Sequence, residues 1–205
     1  LYLQGITTEF LVKQGEQRFE RTLTLPASRG KILDRNGVVL AASIPARSIA
    51  ASPPEEVNEA SKAKLMALAQ LLEIPFADLQ KKLANEDKTF VYLKRQVPLD
   101  VAQKIADLRI GGISQYPDNR RFYPESEVMA NIVGFNNIED KGQEGVELAF
   151  NDQLYGRPGS RRVMRDRLGR VIEDVRAVDL PVDGKDITLS VDTRIQYQVY
   201  RALQE

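Results

Sequence analysis

The chain of 205 residues contains no cysteine and no histidine. Those absences remove thiolate nucleophiles, zinc sites built on either residue, and any histidine-based triad. They leave the compartment open, because cytosolic and periplasmic proteins can both lack cysteine. An excess of one charge is missing too: Lys plus Arg and Asp plus Glu number 29 each. Charge-driven binding of nucleic acid therefore has no support. No apolar run approaches the ~20 residues that span a bilayer.

What is present is ordinary globular material, 42% apolar and 28% charged. It is enough for one large domain or two small ones. The chain starts at Leu1 and stops inside a helical pattern, "DTRIQYQVYRALQE", so both ends read as cut from a longer protein. Any membrane anchor of that parent is expected outside the segment.

Residues 1–20 read as a polar helix with a thin stripe of Ile6, Phe10 and Leu11. "RTLTLPA" alternates as a strand, and "ARSIAASPP" reads as another, stopped by its prolines. Residues 57–108 change character. Three helical patterns, "SKAKLMALAQLLEI", "FADLQKKLANE" and "PLDVAQKIADL", surround one strand, "FVYLKRQ". Leu65, Leu68, Ala69 and Leu72 form one apolar face, and Pro75 and Pro98 open helices. "GISQYPDNRRFYPESEVMANIVGF" carries a strand, a Tyr-Pro step and a short helix. "GQEGVELAFNDQLYG" reads as one helix closed by Gly156, and "SRRVMRDRLGRVIEDVRAVD" as a hairpin. "LPVDGKDITLSVD" reads as a linker and then a strand. The fold class is α+β: a β-rich base with hairpins and a helical insertion.

"DRNG", Asp34 to Gly37, nearly recurs as "DRLG", Asp166 to Gly169. Asn-Gly between apolar runs marks a hairpin turn, and Asp34 can accept backbone N–H bonds across it. No partner acid, base or metal is recognisable for a catalytic aspartate. The arginines beside these turns invite a network. A guanidinium binds a carboxylate through parallel hydrogen bonds and can dock distant segments. Arg29, Arg35, Arg120 and Arg121 are its candidate cations. Glu144 and Glu147, three apart in "GQEGVE", are its candidate carboxylates on one side of a first helical turn. The bland reading is a set of solvated surface charges worth about 0–1 kcal/mol a pair.

"SKAK", Ser61 to Lys64, matches the Ser-x-x-Lys spacing of acyl-transferring serines. The companion motifs Ser-Asp-Asn and Lys-Thr-Gly are absent, and Ser61 stands where a helix N-cap is wanted. The cap reading prevails, with a self-contained serine enzyme as its rival. Gly134, Gly142 and Gly145 are too widely spaced for a phosphate loop. "IEDKGQEG" lacks calcium-loop spacing. No metal site is legible, and no cofactor is expected.

The ensemble "RGKILDRNGVVLA", "RRFYP", "IVGF", "GQEGVE", "RDRLGRVIED" and "LSVDTRIQ", in that order, resembles the class B penicillin-binding proteins. The resemblance is nearest to their division-specific, septal branch in Gram-negative bacteria, and it runs along essentially the whole chain. It implies a juxtamembrane helix at 1–21, a pedestal domain at 22–184 with the insertion at 57–108, and the start of a transpeptidase domain at 185–205. It also implies a periplasmic location, a preceding membrane helix, and a serine acyl-transferase domain beyond Glu205. The chain itself would be non-enzymatic. Its partners would be the membrane glycan-strand polymerase and other division proteins, with no nucleic acid. The same module of the elongation-specific cousin and a plain dimerisation module, hence a homodimer, are the alternatives. The expected structural and coupling residues are Arg29, Gly30, Asp34, Arg35, Gly37, Arg120, Arg121 and Tyr123. Gly134, Glu144, Gly145, Glu147, Asp166 and Gly169 complete the set.

Overall fold

The computed structural model describes residues 19–52, 54–84, 90–165 and 171–204. Its longest strand, β3 (Val39–Ala51), organises the base. Strand β2 (Ile32–Leu33) pairs antiparallel with the start of β3, while β4 (Val91–Pro98) and β5 (Ile113–Phe122) pair antiparallel with its later residues. A short strand β8 (Ile187–Thr188) lies parallel to β2 and completes five strands. A second, three-stranded antiparallel sheet has the order β1 (Phe19–Leu25), β6 (Gly159–Arg165), β7 (Val171–Asp179). This β6–β7 pair is the expected hairpin. Its "DRLG" turn, including Asp166 and Gly169, lies outside the described residues.

The single run of β3 absorbs what reads in sequence as two strands broken at Pro45. Across Ala42–Pro45, β5 is the only registered neighbour of β3 among the described residues, so a missing N–H is tolerated there. Phe19–Arg21 belong to β1 instead of closing an N-terminal helix. The remainder of that expected helix, residues 1–18, lies outside the described residues.

The insertion contributes α1 (Pro54–Asn58), α2 (Lys62–Leu71), α3 (Phe76–Leu83) and α4 (Leu99–Asp107). Pro75 and Pro98 immediately precede α3 and α4. Leu65, Leu68, Ala69 and Leu72 are all buried, as the helical spacing requires. They join Leu79, Leu83, Leu93 and Ile105 in one core that also takes Ile49 from β3. The insertion is thus fused to the base through β3 and β4. A second, smaller core under the base gathers Ile32, Leu40, Met129, Val133 and Leu154.

Helix α5 (Ser126–Val133) follows β5, as read. The stretch "GVELAFNDQL" forms two short helices, α6 (Gly145–Ala149) and α7 (Asn151–Leu154), separated at Phe150. Gly156 does not cap them: Tyr155 is already extended, and a Cβ at Gly156 would stand 2.7 Å from that of Ala27. Helix α8 (Thr193–Gln204) is the last described element.

One local rule is broken in β4. Arg47 pairs Val97 and Ile49 pairs Lys94, so two steps on β3 face three on β4. The extra residue falls at Arg95–Gln96, and Gln96 takes φ 55°. That conformation costs a non-glycine residue about 1–3 kcal/mol. The bulge turns Arg95 toward β1 and the loop between α5 and α6, where it meets Glu139.

Leu68 is fully buried at the centre of the larger core. Leu68→Ala is expected to lower stability by about 2–5 kcal/mol in urea unfolding, whereas Met66→Ala on the exposed face of α2 should change it little.

Candidate functional site

Arg29 and Glu147, 118 positions apart, meet with no solvent exposure on either side chain. Arg29 Nε donates to Glu147 Oε2 at 2.6 Å, and Nη2 donates to the Glu147 carbonyl at 2.9 Å. Its Nη1 donates to the Asp140 carbonyl at 2.8 Å and to Asn151 Oδ1 at 3.0 Å. Arg121, on β5, donates from Nε to the other oxygen, Glu147 Oε1, at 2.7 Å. Its Nη1 lies 3.3 Å from both the Arg29 carbonyl and Ser43 Oγ. One carboxylate therefore joins the loop before β2, strand β5 and helix α6. Asn151 adds α7, and Ser43 adds β3.

Tyr123 closes the ring from the end of β5. Its hydroxyl stands 3.1 Å from Asn136 Oδ1 and 3.4 Å from Glu147 Oε1, and accepts the Asn136 N–H at 3.1 Å. Burial pushes this phenol up to about 12, and the charge of Glu147 adds to the effect. Burial also raises the Asp140 carboxyl, against the pull of Arg29 and Arg121. Asn136 Nδ2 donates to that carboxylate.

The helix carrying Glu147 approaches the end of α5 more closely than side chains permit. Gly134 (φ 74°) would place a Cβ 2.0 Å from the Glu144 carbonyl oxygen, and Gly145 (φ 58°) one 2.7 Å from the Gly134 nitrogen. Two glycines with positive φ are what let these backbones touch.

Asp34 is the second anchor, also fully buried. Its Oδ1 accepts the N–H groups of Asn36 and Val38, each at 2.8 Å, which closes the DRNG turn with Gly37 at φ 83°. Its Oδ2 does more than the turn needs. It accepts the Thr193 N–H at 3.2 Å and the Thr193 hydroxyl at 3.0 Å, at the first residue of α8. Burial would raise this carboxyl. The N–H donors of Val38, Thr193 and Asn36 and the Thr193 hydroxyl outweigh burial and hold it at about 2. Beside it, Arg35 N–H donates to the Val191 carbonyl at 3.0 Å, and Asn36 Nδ2 to Asp192 at 3.0 Å. The Arg194 and Asn36 side chains draw the Asp192 carboxyl well below its ordinary range. Gly30 sits flat against this join, where a Cβ would lie 2.1 Å from the Lys185 carbonyl oxygen.

Three expected members stand apart. The side chains of Arg35 and Arg120 are exposed and make no ion pair. Glu144 precedes α6 in extended backbone (φ −151°), so it does not share the side of Glu147 and stays exposed. Sequence reading missed Asn136, Asp140, Asn151 and Thr193, whose contacts cross long separations and leave no local pattern. Ser61 caps α2, with its Oγ accepting the Lys64 N–H at 3.4 Å, while Lys64 Nζ donates to the Arg109 carbonyl. The two side chains form no nucleophile–base pair. Among the described residues, no cluster of three or more candidate metal ligands is present, and no helix is long and apolar enough to cross a membrane.

Two buried carboxylates, Glu147 and Asp34, thus join segments of the base that lie far apart in sequence. Residues 24–189 match the penicillin-binding protein dimerisation domain, and the chain belongs to that family. It is 41% identical to the probable peptidoglycan D,D-transpeptidase PenA of Neisseria meningitidis, over 100% of this chain and 36% of that protein. It is 42% identical to the peptidoglycan D,D-transpeptidase FtsI of Escherichia coli K12, over 98% of this chain and 35% of that protein. The chain thus spans little more than a third of these relatives. Among solved structures, a peptidoglycan synthetase from Bifidobacterium adolescentis superposes with TM-score 0.55 at 28% identity, covering 90% of this chain and 38% of that one. The penicillin-binding protein PBP2 in complex with MreC from Helicobacter pylori gives 0.65 at 17% identity, covering 91% and 39%, a likeness of fold.

Removing Glu147 leaves two arginines buried together. Glu147→Ala is expected to cost about 3–5 kcal/mol, and a double-mutant cycle with Arg29→Ala to return about 0.5–3 kcal/mol of coupling. Zero coupling in chemical unfolding would remove the network.

Asp34 sets a pH dependence. Its folded value, about 2, lies below the ordinary 3.8, so its contribution is complete above pH ~4 and fades as pH falls toward 2. Asp34→Asn should lower stability at pH 6 and flatten the acid limb between those values. An unchanged limb would show that the Asp34 contacts contribute nothing to folding.

Proposed function

We propose that this chain is the non-catalytic pedestal of a septal peptidoglycan transpeptidase. The identity of 41–42% to PenA and FtsI along the whole chain carries the reading. In it, the parent is held at the periplasmic face of the inner membrane by a segment outside this chain. A serine acyl-transferase domain follows and cross-links peptidoglycan by acyl transfer from D-Ala-D-Ala peptides. The pedestal sets the position of that domain and docks the glycan-strand polymerase and other division proteins. Arg29, Arg121, Tyr123 and Glu147 hold its shape, while Asp34 and the glycines at 30, 37, 134 and 145 fix its joins. The same role would fall to Asp166 and Gly169 in the second hairpin.

The geometry supports a positional role. Asp34 grips the first turn of α8, the element leading toward the C-terminal end, and the Glu147 network grips the loop that feeds Asp34. The two clamps are connected through the five residues from Arg29 to Leu33. A displacement of the base would therefore reach α8 without passing through a flexible linker.

The test uses the full-length parent in cells depleted of their resident division transpeptidase. It should restore septation, and the 205-residue chain alone should take no label from a fluorescent penicillin. Restored rod elongation without septation would move the assignment to the elongation branch. Covalent labelling of Ser61 would overturn the non-catalytic role.

A further inference from the structure

A cavity of about 540 Å³ lies between β1 and the β4–β5 face. This is within the usual size of a small-molecule site. Its wall is a cluster of Phe90, Tyr92 and Tyr116, with ring centroids 4.8 to 6.5 Å apart and all three pairs edge-on. Tyr92 is 46% exposed, so its ring is open to the cavity. Beside the rings stands the polar centre formed by the strained bulge. Arg95 Nη1 donates to Glu139 at 2.6 Å, and Nε lies 3.5 Å from Asp118. Asp118 is itself held by the Ser48 hydroxyl at 2.5 Å and the Gln96 N–H at 3.3 Å. A second cavity of about 160 Å³ shares Arg95, Asp118 and Glu139 and continues toward Tyr155, so the two form one trough.

We propose that this aromatic trough binds a glycan strand, a chain of N-acetylated amino sugars, with the pyranose faces on Tyr92 and its neighbours. The reasons are chemical. One cation between two carboxylates leaves the centre with a net negative charge, so an acidic ligand is disfavoured. Sugar hydroxyls both donate and accept, and the centre offers guanidinium and amide donors beside carboxylate acceptors. The apolar face of a pyranose matches half-exposed rings. An extended peptide added as a strand needs backbone donors, and Pro26, Pro117 and Pro158 remove them from the lining. The positive φ of Gln96 stands in the bulge that aims Arg95 into the trough, and strained backbone of this kind clusters at binding sites. That the glycan is peptidoglycan rests on the proposed function.

The experiment titrates the 205-residue chain and its full-length parent with an N-acetylglucosamine tetramer, followed by calorimetry and by tyrosine fluorescence. Tyr92→Ala should weaken binding at least tenfold, and Tyr92→Phe should keep it within about threefold. Arg95→Ala should weaken binding too. Thermal unfolding checks that each variant is folded. No heat or fluorescence change up to millimolar tetramer overturns the site, as does equal binding by wild type and Tyr92→Ala. Preferential binding of a proline-rich peptide in a parallel titration overturns the glycan in favour of a polypeptide. The readout separates the two proposals. A chain blind to the tetramer in a parent that still restores septation sinks the trough alone. A chain that binds it in a parent that fails septation sinks the septal role alone.

Discussion

Glu147 has no exposure to solvent, and each of its carboxylate oxygens takes the Nε of a different arginine. A buried carboxylate with one arginine would be a pair, and its neighbours could shift as a unit. With two, it becomes a fixed point, because Arg29 and Arg121 come from segments that are 92 positions apart. The centre carries one surplus positive charge, which the Asp140 carboxylate and several carbonyls face. Arg121 Nη2 is the one buried side-chain nitrogen or oxygen without a partner among the described residues. Such a centre is costly to desolvate and is not an efficient source of stability by itself. What it fixes is position: the loop 136–142, the two short helices and β5 all converge on Glu147 and its two arginines.

The remaining architecture follows from that fixed point. The loop carrying Arg29 leads directly into β2, and β2 presents Asp34 to α8. Backbone contacts at Gly134 and Gly145 bring α6 to the depth at which Glu147 reaches both arginines. Even the exposed Arg35 participates through its N–H, which binds the Val191 carbonyl ahead of α8. The DRNG turn is therefore two devices on one aspartate, a tight turn on Oδ1 and a helix cap on Oδ2.

How much of this is legible in sequence depends on the range of the interaction. Periodicity exposes the faces of α2, α3 and α4, because burial of Leu65, Leu68 and Leu79 repeats at helical spacing. Asn-Gly marks its turn through backbone conformation alone. The Arg29–Glu147 pair can be named as a candidate because Arg29 stands beside the DRNG turn and Glu147 in the first turn of a helical pattern. Arg120 and Arg121 cannot be told apart that way. Only strand alternation on β5, once its register against β3 is known, sends Arg121 inward to Ser43 and Arg120 outward. Glu144 fails for a related reason: it stands one residue ahead of α6, where helical spacing does not yet apply. Asn136, Asn151 and Thr193 donate or accept across a fold that has to exist before their roles do.

The molecule uses arginine in two opposite ways, and the contrast separates its frame from its surface. Arg29 and Arg121 are enclosed, with almost every donor matched. Arg95 is one-quarter exposed, shares Asp118 and Glu139 without being enclosed, and depends on a positive φ at a glutamine. A frame that only needed rigidity would have no use for the second arrangement. The bulge at Arg95–Gln96, one of two register shifts between β3 and β4, sets where Arg95 points. The strain at Gln96 therefore lies beside a cavity in which aromatic rings and hydrogen-bonding side chains face the same space.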